Sequence, residues 1–81
     1  MQTQFIDPVM AKVLVAEHGV LWFCCIWACE DRPGEYRGNA TLSSGNWMTP
    51  VFYSDSVDQI WEAVKDSVLK LMPSLLDELS V

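Results

Sequence analysis

The chain has 81 residues, about half of them hydrophobic and four of them Trp, with a formal net charge of −6. That length sets one domain, spanning 1–81, with a small core, and the hydrophobic content excludes disorder. Eleven acids against five bases argue against direct nucleic-acid contact and anionic membranes, and leave basic or apolar protein surfaces as the expected partners.

Residues 1–8 read as an N-terminal tail, with Phe5 and Ile6 as anchors. They carry neither a basic segment nor an apolar run of signal-peptide type, so the expected location is the cytoplasm. Residues 8–18 admit two readings. Asp7-Pro8 is a good helix start and Gly19 a good stop. Against this, Val13-Leu14-Val15 favours a strand at 12–17, turned by His18-Gly19 into the next segment. The strand is the leading reading and an N-terminal helix at about 8–18 the alternative.

The stretch 20–29 is uncharged and apolar throughout. It is too short to span a bilayer as a helix, which needs ~20 residues, and its β-branched and aromatic content favours a strand. Period two puts Val20, Trp22, Cys24, Ile26 and Ala28 on one face, and Leu21, Phe23, Cys25, Trp27 and Cys29 on the other. Both faces need cover.

Pro33-Gly34 supplies the central residues of a type II turn. Residues 36–43 alternate, with Tyr36, Gly38, Ala40 and Leu42 opposite Arg37, Asn39 and Thr41. Residues 43–46 form a turn or loop. Residues 47–53 are extended, and Pro50 confines them to an edge or an irregular strand.

One amphipathic helix is expected over about 55–72. Ser54, Asp55 or Ser56 can cap it, and Ser56 with Gln59 fits a capping box. Val57, Ile60, Trp61, Val64, Val68, Leu71 and Met72 make its apolar stripe, with Trp61 and Val64 expected on the sheet. Pro73 ends or kinks it, leaving a short helical extension at 73–81. The expected fold is therefore α+β: a small antiparallel meander of three or four strands, with one long C-terminal helix packed on one face.

Metal and catalytic readings are weak. Cys24, Cys25, Cys29 and His18 lack knuckle spacing, and adjacent cysteines in a strand diverge. Their apolar setting suits reduced, buried thiols better than a catalytic thiolate. No nucleophile elbow or phosphate-binding loop occurs. No cofactor and no enzymatic activity are expected.

Two surfaces remain. One helix covers one sheet face, so the other exposes either Leu21, Phe23 and Trp27 or Val20, Trp22 and Ile26, with Trp22, Phe23 and Trp27 as candidate anchors. Homodimerisation through that face is one remedy. Along the helix, Asp58, Glu62 and Asp66 repeat at i, i+4 and i+8, ~6 Å apart, with Leu69 beside them. The layout is similar to that of many small regulators, including antitoxins and phage-encoded inhibitors. The expected function is a non-enzymatic, acidic protein-binding protein that inhibits or modulates a target, in the setting of a phage or mobile-element accessory protein acting on a bacterial host factor. A nucleic-acid mimic using the helix acids and a structural subunit of a larger assembly are the alternatives.

Overall fold

The computed structural model describes residues 7–79. Four strands form one sheet: β1 (Met10–Val15), β2 (Leu21–Ala28), β3 (Tyr36–Leu42) and β4 (Phe52–Ser54). Their order is β1-β2-β3-β4, and each neighbouring pair is antiparallel. A helix, α1 (Val57–Leu79), follows. The expected α+β meander with one long helix is therefore the fold. Most of the expected N-terminal tail, residues 1–6, lies outside the described residues.

The strand reading of the N-terminal segment holds. A three-residue turn, Glu17–Gly19, joins β1 to β2, with His18 at φ 59° and Gly19 at φ 74°. The left-handed His18 carries a cost of roughly 1–2 kcal/mol that Gly does not. The Ala16 N–H donates to the Val20 carbonyl (2.7 Å), closing the hairpin. At the other end of β2, the Glu35 N–H donates to the Arg32 carbonyl (3.0 Å). Gly34 sits at φ 86° between them, as a type II turn requires.

The register places Trp22, Cys24 and Ile26 opposite Leu42, Ala40 and Gly38. These residues face α1, whose Ile60, Val64, Val68, Met72 and Leu75 complete the core. Gly38 lets the two layers meet. A Cβ there would lie 2.7 Å from Ile26 Cγ1 and 3.0 Å from Ile60 Cγ2.

The helix begins as the Ser56–Gln59 pattern predicts and departs from expectation at its other end. It starts at Val57 because Ser56 is the cap, its Oγ accepting from the Gln59 N–H (3.3 Å). The reciprocal half of the capping box runs through a relay. The Ser56 N–H donates to Ser54 Oγ (3.0 Å), and that hydroxyl donates to Gln59 Oε1 (2.9 Å).

Pro73 neither ends α1 nor sets off residues 73–79 as a separate extension: the helix runs through it to Leu79, and residues 80–81 of the expected extension lie outside the described residues. Pro73 deprives the Leu69 carbonyl of its helical donor, but both residues are exposed, so water can supply one. Beyond Pro73, buried Leu75 anchors the helix, and Trp47 Nε1 donates to Glu78 Oε2 (3.2 Å).

Trp61 is a second correction. It is half-buried rather than central, and lies between two ammonium groups, Lys12 Nζ at 5.2 Å and Lys65 Nζ at 5.4 Å from the ring. Val64 is central as expected, and Ile60 takes the place beside it. Between β3 and β4 only Met48 pairs, as an isolated bridge to Thr41. Thr49 closes the gap: its N–H donates to the Ala40 carbonyl (2.9 Å) and its Oγ1 accepts from the Ala40 N–H (3.0 Å).

Candidate functional site

Because direct partners in a sheet share a face, the register fixes which side chains point away from α1. Val15 stands beside Leu21, and Val13 beside Phe23 and Thr41. Ala11, Cys25 and Asn39 form the next row, and Trp27, Arg37 and Tyr53 the last. Nothing among the described residues covers this open face. Val13 is 55% exposed, Phe23 47% and Val15 64%.

Its charge is as telling as its exposure. No Asp or Glu lies in those rows, although the chain carries −6 overall. The one cation is Arg37, whose guanidinium stacks over Trp27 (5.3 Å to the ring centroid). Arg32, from the β2–β3 turn, lies over Tyr53 (5.8 Å). The face is thus an apolar field around Phe23 with an aromatic, cationic margin. Its anchors are a fixed-backbone Phe and a half-buried Trp, the residue types that dominate protein interfaces.

The candidate anchors separate. Phe23 and Trp27 lie on the open face, whereas Trp22 is 0% exposed and belongs to the core beneath α1. Alternation makes this unavoidable: whichever face the helix takes, Trp22 and Phe23 part company. Trp22 Nε1 is also buried without a hydrogen-bond partner.

The helix acids are exposed but occupied. Glu62 pairs with Lys65 (2.7 Å) and Asp66 with Lys70 (2.9 Å). Asp58 sits in the first helical turn, where the helix dipole favours a carboxylate. Leu69 is 63% exposed and lies toward β1, in a shallow groove lined by Leu14, Val15, Ala16, Lys65, Val68 and Leu69.

A cleft at the far end of β2 is lined by Cys29, Glu30, Asp31, Arg32, Arg37 and Tyr53. Its two arginines are engaged on aromatic rings. Arg32 Nη1 is also 3.6 Å from Glu35 Oε2, an ion-pair contact without a hydrogen bond. His18 lies at the opposite end of β2, so the strand's length, ~26 Å at ~3.3 Å per residue, separates it from Cys29.

Cys24 and Cys25 point to opposite faces, Cys24 into the core and Cys25 toward the open side. The register sets one base beside these thiols, since Lys12 stands directly opposite Cys24. Burial nevertheless dominates. It pushes the Cys24 thiol up to about 11, with Cys25 adding to the rise and Lys12 opposing it.

Among the described residues, no group of three or more His, Cys, Asp or Glu is placed to hold a metal ion. Among them, too, no helix is long and apolar enough to cross a membrane. Sequence reasoning missed the β1–α1 groove and the arginine–aromatic margin, both of which depend on register between distant residues. No family model, curated protein or solved structure matches the chain.

Proposed function

We propose that this chain is a non-enzymatic protein-binding module that inhibits or modulates a protein target by occupying its surface, using the open face of the sheet. One observation carries this reading: an apolar field around Phe23, free of acids, that the described residues of a chain of net charge −6 leave uncovered. Monomeric proteins rarely leave more than a few hundred Å² of contiguous apolar surface exposed without a use for it. Phe23 and Trp27 are the anchors, Val13 and Leu21 extend the contact, and the Arg37 margin orients it. The helix acids favour a nucleic-acid mimic less, since Glu62 and Asp66 already have cationic partners.

The test is a capture experiment with three baits: the wild-type chain, Phe23→Glu, and Asp58→Asn/Glu62→Gln/Asp66→Asn. A protein held by the wild type, retained by the helix variant, lost by Phe23→Glu and resistant to ~0.5 M salt fits an apolar contact. Loss with the helix variant or at high salt, with Phe23→Glu unaffected, would transfer the role to the acids.

A further inference from the structure

We propose that β1 is a pairing edge for a second copy of this chain, joining two sheets into one of eight strands about a two-fold axis at Val13. The inference goes beyond the open-face reading and does not depend on it. It begins with the backbone. In an antiparallel pair, alternate residues point their N–H and C=O groups toward the neighbour. The Ala16 N–H bonds the Val20 carbonyl, and with the Met10↔Ile26 to Val15↔Leu21 register this assigns the even-numbered residues of β1 to β2. The N–H and C=O groups of Ala11, Val13 and Val15 therefore line the outer edge.

Among the described residues, that edge is lightly protected. β1 contains no Pro, no Gly and no acid, and no other strand flanks it; Lys12 is the one residue of the kind that blunts an edge, and its ammonium is drawn over the Trp61 ring on the α1 side. α1 packs chiefly on β3 and β4, so β1 overhangs the groove beside Leu69. β4, by contrast, is three residues long and continues almost directly into α1.

The edge is also complementary to itself. With the axis at Val13, each Val13 exchanges both hydrogen bonds with its own copy, and Ala11 of one chain pairs with Val15 of the other. Lys12 then stands opposite Leu14 rather than opposite Lys12, so no like charges meet. The two Val13 side chains form a β-branched pair on the open face, which becomes one surface twice as wide. A heterologous extended peptide would find the same backbone groups. It is the two-fold register, with its cation offset, that fits a second copy. The interface falls in the small class, below about 1,200 Å², where association is reversible.

The experiment combines sedimentation with disulfide trapping in a Cys25→Ser background. Mass should rise from one chain toward two with concentration, and Val13→Lys, which sets two ammonium groups face to face, should return it to one. Val13→Cys should cross-link on mild oxidation, since directly paired Cα atoms lie ~5.5 Å apart. Ala11→Cys should not cross-link, because its own copy lies four residues along the seam, at ~13 Å. The Ala11→Cys/Val15→Cys double variant should. Phe23→Glu should keep the dimer while losing the captured partner, which separates this proposal from the preceding one. One-chain mass at every concentration, or a dimer trapped by Phe23→Cys but not by Val13→Cys, would overturn it.

Discussion

Replacing Gly38 by Ala adds one methyl group where β3 meets both β2 and Ile60 of α1. The new Cβ would lie 2.7 Å from Ile26 Cγ1, 2.9 Å from the Cys25 carbonyl oxygen and 3.0 Å from Ile60 Cγ2, where carbon atoms prefer about 3.5–4.0 Å. Ile26 and Ile60 are fully buried, so neither has free space to turn into. The carbonyl oxygen belongs to the backbone of β2 and cannot move alone. Overpacking of this kind costs about 1–3 kcal/mol. The lower chain entropy of Ala in the unfolded state returns about 0.4–1 kcal/mol. A net loss of about 1–2 kcal/mol lowers the melting temperature by about 5–15 °C in a domain of this size. Thermal and urea denaturation followed by far-UV circular dichroism read it directly. In an Ile60→Ala background one of the three contacts is gone, so the cost of Gly38→Ala should shrink. A Gly38→Ala variant that melts at or above the wild-type temperature, or that costs the same in both backgrounds, would refute the close approach of α1 to β3.

The remaining expectations concern the core and the thiols. Cys24 is held up near 11 against an ordinary value of 9.0. Its protonated form therefore stabilises the fold fully below pH 9, and that contribution fades as pH rises toward 11, by about 1.4 kcal/mol per unit. Urea midpoints at pH 8 and 10.5 should fall more in the wild type than in Cys24→Ala, and parallel slopes would contradict this. Trp22→Phe removes a buried N–H that has no partner, a relief of about 1–3 kcal/mol against a cavity and transfer loss of similar size. The net change should stay within about 1 kcal/mol, and a loss beyond about 3 kcal/mol would mean that the indole N–H is engaged. Ile60→Ala should cost about 2–5 kcal/mol and Leu69→Ala less than about 0.5 kcal/mol, the reverse order excluding the observed helix orientation.

The fold was legible because each element announces its period. Residues 20–29 read as a strand apolar on both faces, and the stripe from Val57 to Met72 as a helix face that packs on a sheet; the described residues cover one face of β2 and leave the other open. What composition could not decide was which face of β2 the helix takes, since Trp22 and Phe23 are equally apolar. The deciding signal was present in β3: Gly38 and Ala40, both small, make room for a helix on the face they share with Ile26 and Cys24. Pro73 misled because local propensity predicts a stop, whereas Leu75 and the Trp47–Glu78 hydrogen bond hold the last turns from a distance. Of the candidate site, Phe23 and Leu69 were readable as exposed apolar residues, and Trp27 as sharing the face of Phe23. That a meander leaves two open edges was legible too, and β1 is one of them; how little α1 leans on β1 was not, because it depends on distant packing.

Hydroxyl-radical footprinting of the chain alone and in complex with the protein it captures tests the open-face account most directly. In the free chain, Phe23, Tyr53 and Met48 should be modified while Trp22 and Met72 are protected, following their exposure. In the complex, protection should appear at Phe23, Leu21 and Val13 and leave Leu69 and the exposed side of α1 unchanged. Protection confined to α1, with Phe23 modified as fast as in the free chain, would contradict the account.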